Sequence, residues 1–225
     1  YGINDGGKNW IYKEKAKELF LNFYDIAQDD IRRKREGIYK SWNIFIKEKK
    51  IKVIALDVRY FKDSFKRNYS TERNKKYIED NNPDKTILGL KQWTWLKSQL
   101  KGDFDLVILL SSFQVISKSH GWEKWNNFPI ERERLINLLN KKKVPKLILS
   151  GDRHSGAIYK HDKTNIYEAT ASSFNQKELS YIELDPLRVG KFVNQNNFGL
   201  LEITSTSILV SIISGTNIIK KEYSK

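Results

Sequence analysis

Leu147-Ile148-Leu149-Ser150-Gly151-Asp152-Arg153-His154-Ser155-Gly156 is the stretch on which the reading of the fold turns. A short apolar run of the kind that makes a buried strand breaks at a glycine, and two metal-ligand residue types follow at alternate positions. In an extended segment alternate side chains share a side, so Asp152 and His154 are expected to face one way and Arg153 the other. A carboxylate oxygen and an imidazole nitrogen brought together at a strand end suit a divalent metal. The competing reading is a polar turn after a core strand, with Asp152 capping backbone and His154 exposed to solvent.

Two further apolar runs end in the same manner. Ile51 to Leu56 leads into Asp57-Val58-Arg59, and Asp105 to Leu110 leads into Ser111-Ser112. In open α/β sheets ligands bind outside the carboxyl ends of the strands, so the three polar sets are expected to converge on one site. Between the strands lie helical patterns: Lys13 to Ile26, with Ala16, Leu19, Phe20, Phe23 and Ile26 on one face; Leu88 to Leu100; and Ile130 to Asn140, opened by Pro129 and followed by Lys141, Lys142 and Lys143. Gly37 to Ile46 reads as a hairpin arm, and residues 62–86 as a long polar surface loop. Beyond residue 156 the texture changes to short strands at Ala157–Tyr159, Ile166–Ala169, Ser180–Leu184, Gly199–Ile203 and Ile208–Ile213. No linker or repeat divides the chain, so 1–225 is read as one domain.

The net charge of +14 favours phosphate-bearing partners, nucleic acid or anionic membrane, but the lysines are spread over nearly every segment, as in a lysine-rich background composition. Absence of Cys excludes disulfides and thiolate ligands. No run approaches the length of a membrane span. The chain contains no Met and starts at Tyr1, so it is expected to be a processed product or a piece of a longer protein.

Seven segments, in order and spacing, resemble the PhoD-like (alkaline phosphatase D) metallophosphatases of the calcineurin-like superfamily. Tyr1-Gly-Ile-Asn-Asp-Gly-Gly7 resembles the segment after that family's Asp-Asp-His-Asp motif. Leu56-Asp57-Val58-Arg59 is similar to its Leu-Asp-x-Arg, Gln92-Trp93-Thr94-Trp95-Leu96 to its Gln-Trp-x-Trp-Leu, and Trp125 to Arg132 to its Trp-x-x-(aromatic)-Pro-x-Glu-Arg. Ser150 to His154 is similar to Ser-Gly-Asp-x-His, Thr170 to Ser173 to Thr-x-Ser-Ser, and Asn197-Phe198-Gly199 to Asn-(aromatic)-Gly. The resemblance implies an α/β four-layer αββα sandwich whose N-terminal portion, with the first metal-binding aspartates, lies upstream of Tyr1. It implies two or more divalent or trivalent ions (Fe, Mn, Zn or Ca), with Asp152, His154 and Asn4 as ligands and Asp57 and Arg59 near the phosphate. A salt bridge internal to the fold is the alternative for Asp57 and Arg59. The implied activity is metal-dependent hydrolysis of a phosphate ester, with no obligate nucleic acid. The alternatives are an inactive phosphatase-like domain and a basic module that binds nucleic acid or anionic lipid. The compartment is left open, a secreted or endomembrane location included. His120 is expected at the surface and His161 in a hairpin turn. Trp93, Trp95, Phe104 and Phe113 are expected in the core, and Ser111 and Ser112 are expected to make strand-end hydrogen bonds.

Overall fold

A computed structural model describes residues 1–72, 75–175, 182–215 and 217–224. In chain order the elements are α1 (Lys13–Phe23), α2 (Ile31–Lys34), β1 (Lys40–Ile46), β2 (Lys49–Ala55), β3 (Lys66–Arg67), β4 (Tyr77–Ile78), α3 (Gly89–Gln99), β5 (Leu106–Ser111), α4 (Pro129–Asn140), β6 (Lys146–Ser150), β7 (Gly156–Lys160), β8 (Ile166–Ala171), β9 (Arg188–Val193), β10 (Phe198–Ile203), β11 (Ser207–Ser214) and β12 (Asn217–Ser224). Seven strands form a mixed sheet in the order β1-β2-β5-β6-β8-β7-β9, in which β2, β5, β6 and β8 run parallel. The strands β10, β11 and β12 form an antiparallel second sheet.

Both faces of the large sheet are covered, which is why β5 and β6 read as near-continuous apolar runs, while β2 carries the buried Lys52 and β8 the buried Glu168 and Thr170. On one face Ile54, Val107, Leu109 and Ile148 pack with Trp93 and Leu96 of α3 and Leu135, Ile136 and Leu139 of α4. On the other, Leu147, Ile158 and Ala169 meet Val210 and Ile212 of the second sheet, and Ile51, Leu106 and Ile108 meet Leu201, Ile203 and Ile208. The described residues thus build three layers, helix, sheet and sheet. Gly156 is required where the sheets touch, because a Cβ there would lie 2.7 Å from Ile212 Cγ2.

Most of the segments of the family-like pattern turn out to be mechanical. Gln92 clamps the Asp57 residue from both sides, its Nε2 donating to the Asp57 carbonyl at 2.8 Å and its Oε1 accepting the Asp57 N–H at 2.9 Å. Glu131 accepts from the Trp93 indole, from Thr86 Oγ1 at 2.6 Å and from the Ile87 N–H. Arg132 donates to the carbonyls of Val115 and Ile116, while the buried Glu168 takes the N–H of the same two residues at 2.8 and 2.5 Å. The loop after β5 is therefore held through both its donors and its acceptors. Glu131→Ala strands two buried donors, the Trp93 indole and the Ile87 N–H, each costing about 1–3 kcal/mol, and leaves the half-buried Thr86 hydroxyl without its acceptor. It should lower the unfolding free energy by about 3 kcal/mol or more, read from a denaturant melt, and a change below about 1 kcal/mol would show that this clamp is not structural.

Several expectations need correction. The apolar stripe of α1 faces solvent, with Leu19 60% and Phe23 79% exposed. The inward face is the i, i+4 pair Lys17 and Leu21, because the Lys17 ammonium reaches the Arg35 carbonyl at 2.9 Å and packs near the Tyr60 ring. The 62–86 stretch is not wholly a surface loop: Lys62, Phe65 and Tyr77 are buried, and the stretch carries the short β3–β4 pairing. Its period is lost because only isolated side chains turn inward. His120 is buried, its Nε2 against Gln114 Oε1 at 2.9 Å, and burial holds it well below the usual histidine range. His161 does sit in the β7–β8 turn, but its ring is buried beside Thr164 Oγ1. The Ser180–Leu184 strand falls partly outside the described residues, and 182–184 is not a strand. Strands β9 and β12 were not expected. Trp93 and Phe113 are in the core with Trp95 and Phe104 packed against it, and Ser111 Oγ makes the expected strand-end bond, to the Phe113 carbonyl at 2.6 Å.

Candidate active site

The carboxyl ends of β2, β5 and β6 lie side by side, since Ala55 pairs with Leu110 and Ser111 with Ser150. Asp57 leaves β2 and is buried. Its Oδ1 accepts the N–H of Arg59 at 3.0 Å and of Tyr60 at 2.9 Å, and its Oδ2 accepts the Ile38 N–H at 2.9 Å and the Tyr1 hydroxyl. Burial pushes its pKa up and these donors oppose the shift. With every oxygen engaged, Asp57 is a positioning group: it shapes the turn that presents Arg59.

Arg59 is not paired with Asp57. Its guanidinium forks onto both oxygens of Glu123, stacks near the Phe113 ring at 5.4 Å from the centroid, and lies 3.9 Å from Asp152 Oδ1. The alternative of an internal salt bridge holds for Arg59 but not for Asp57, and its partner, Glu123, lies far along the chain. Glu123 is pushed up to about 7 by burial, against the pull of Arg59 and Lys62. Lys62, 3.8 Å from Glu123 and donating to the Asp5 carbonyl at 3.1 Å, is held down to about 8 by its own burial. Asp5 takes Lys76 and the Tyr77 hydroxyl; burial pushes it up, and these two donors outweigh that and hold it low. The N-terminal turn seats closely here because Gly7 has no Cβ, which would stand 2.3 Å from the Lys62 carbonyl oxygen.

The turn after β6 is not extended. Asp152 (φ 70°) and His154 (φ 50°) both lie in the left-handed region, which non-glycine residues enter at a cost. Asp152 is about a third exposed (36%) and His154 is exposed, as the polar-turn reading also expects, whereas Arg153 is buried against Glu183. Ser172 supports the turn, its Oγ taking the Ser155 N–H and donating to the Ser155 carbonyl. Burial raises the Asp152 carboxyl, and Arg59 and Arg153 oppose that. Asn4 is exposed in the turn whose next residue, Asp5, makes the contacts with the cluster.

The structure therefore brings together Asp57, Arg59 and Asp152, with His154 two residues on, and adds Glu123, Lys62 and Asp5, which sequence reasoning missed. A carboxylate oxygen and an imidazole fit one side of a metal shell. Among the described residues no three His, Cys, Asp or Glu side chains stand close enough to hold an ion.

The solved structure of PhoD is similar over 93% of this chain and 47% of its own, at 16% identity and a TM-score of 0.63. GAP50, the anchor in the inner membrane complex of Plasmodium, is similar over 84% of this chain and 53% of its own, at 16% identity and a TM-score of 0.54. At such identities the likeness shows the fold, and the chain spans about half the length of each of these structures. No curated protein matches the sequence. The sequence model of the PhoD-like phosphatase family matches residues 11–206, from α1 through β10, and the chain belongs to that family.

Proposed function

We propose that this chain forms part of a metal-dependent phosphoric ester hydrolase acting on phosphomonoesters or phosphodiesters. The observation that carries the reading is the meeting of the Arg59 guanidinium with the left-handed Asp152–His154 turn at the carboxyl end of the sheet. Asp152 and His154, and Asn4 through its amide oxygen, are the proposed ligands, set in a four-layer αββα sandwich. A bound iron, manganese, zinc or calcium ion would polarise phosphoryl oxygens and lower the pKa of water. Arg59 binds and orients the phosphoryl group with its planar fork, and Asp57 fixes the turn that aims it. Water adds to phosphorus, the bond from phosphorus to the alcohol oxygen breaks, and that oxygen takes a proton. Because the described residues gather no three His, Cys, Asp or Glu donors, Tyr1 to Lys225 alone is expected to bind metal weakly and hydrolyse no ester.

A basic module for nucleic acid or lipid fits less well, because Lys17, Lys52, Lys62 and Lys124 are buried and so withdrawn from any surface patch. Among the described residues no helix is long and apolar enough to cross a membrane. The test is hydrolysis of chromogenic phosphomonoester and diester by the whole protein, before and after exhaustive chelation. Activity that metal removal abolishes and metal addition restores is expected. Activity that survives chelation overturns the metal, and a metal-loaded protein without turnover favours an inactive phosphatase-like domain.

A further inference from the structure

Beside Arg59 lies a cavity of about 310 Å³ that the proposed chemistry does not use. Its walls are Tyr1, Ala16 and Phe20 of α1, Ile38, and Leu56 and Val58 at the end of β2. Arg59 and Ser112 line it too, together with Asp57, whose oxygens are already engaged. Arg59 is shared: it lines the cavity, and its Nη2 is 3.9 Å from Asp152 Oδ1. Ser112 is shared as well, because its carbonyl oxygen lies 3.6 Å from where a Cβ on Gly151 would stand. The cavity and the Asp152–His154 turn are thus neighbours with the guanidinium between them.

That placement makes sense of α1. A helix that turns Lys17 inward and leaves its aromatic side out stabilises the core little, yet Ala16 and Phe20 form one wall of this cavity. Phe20 continues into an exposed aromatic rim, with ring centroids 4.7 Å from Phe20 to Tyr24 and 5.0 Å from Phe23 to Tyr24. A mostly apolar space with one charged group at its end has the make-up of a ligand pocket, and its volume is at the lower bound of about 300 Å³ for such pockets.

We infer that this cavity receives the alcohol portion of the substrate, and that the substrates are phosphate esters of apolar, aromatic or branched-alkyl alcohols rather than of sugars or glycerol. The inference rests on the hydrolase reading above. A phosphate paired with Arg59 has the strand-end turn on one side and the apolar walls on the other. Each buried methylene contributes about a fourfold preference, so two rings or a short branched chain give tenfold or more.

The test compares 2-(1-naphthyl)ethyl phosphate with glycerol phosphate on the whole protein, two alkyl esters whose leaving alcohols are similar in acidity. The ratio of their kcat/KM values should favour the naphthyl ester at least tenfold. It should fall at least tenfold in Ala16→Trp, which fills the cavity, and also in Phe20→Ser, which removes a wall at a half-exposed site that folding tolerates. A ratio near one in the wild type, or a ratio unmoved by both variants, overturns the inference while leaving hydrolysis intact. Should neither ester be hydrolysed, the hydrolase reading fails and the cavity is judged on binding alone. Naphthyl phosphonate binding at least tenfold tighter than methyl phosphonate, with the preference lost in Ala16→Trp, then upholds the apolar site, and equal binding overturns it.

Discussion

Asp152→Ala and His154→Ala, made singly in the whole protein, should each lower turnover at least about a hundredfold, with bound metal falling in step. Changes one shell further out from a metal already cost about 10–100-fold, so removal of a direct ligand sets a larger loss. Stability should respond little by comparison, because both side chains project from the turn rather than pack beneath it. The residual effect comes from the backbone: Asp and His enter the left-handed region several-fold more readily than Ala, so each substitution costs about 1 kcal/mol, a fall in Tm of about 2–4 °C at this chain length. Asp152→Asn separates the two effects, since Asn enters that region readily and keeps one oxygen donor. Its Tm should stay near the wild-type value while turnover drops. Wild-type turnover in both alanine variants would move the site away from this turn.

Arg59→Lys should lower turnover by about a hundredfold or more, the scale on which loss of one aimed donor at a reacting oxygen is felt. An ammonium keeps the charge, but it cannot present paired donors to Glu123 and to phosphate. The variant should also lose stability, because Glu123 is buried and a single ammonium cannot meet both of its oxygens as the guanidinium does. Unchanged kinetics with a lowered Tm would reduce Arg59 to a structural ion pair. The pH dependence of stability provides an independent measure of that pair. Burial raises the Glu123 carboxyl from 4.5 to about 7 in the folded chain. Between these values the folded state holds a proton that the unfolded state has released, so this contribution is full below about 4.5 and is lost as pH rises through about 7. In Glu123→Gln the loss disappears. The wild-type Tm, measured relative to that variant, should therefore fall between pH 4.5 and 7.

What the amino-acid order determined by itself was local. The apolar runs at Ile51–Leu56, Asp105–Leu110 and Lys146–Leu149 became β2, β5 and β6, because a strand covered on both faces is apolar at most positions, Lys52 and Lys146 being buried exceptions within these runs. Pro129 opened α4 at its first position, where no N–H is needed. The spacing of the short motifs carried the family. Tertiary structure decided three other things. It decided which face of α1 turns inward, since periodicity marks a stripe without saying what lies opposite, and here Lys17 found a carbonyl and a ring. It decided the partner of Arg59: Glu123 is 64 residues distant along the chain, and a charge on a loop carries no local sign of the group it will meet. It also decided the conformation of Asp152 and His154, whose left-handed turn depends on Ser172 and on β8 packed beside it. Residue types at strand ends are written in order along the chain, but burial and pairing arise between segments that meet only once the sheet has formed.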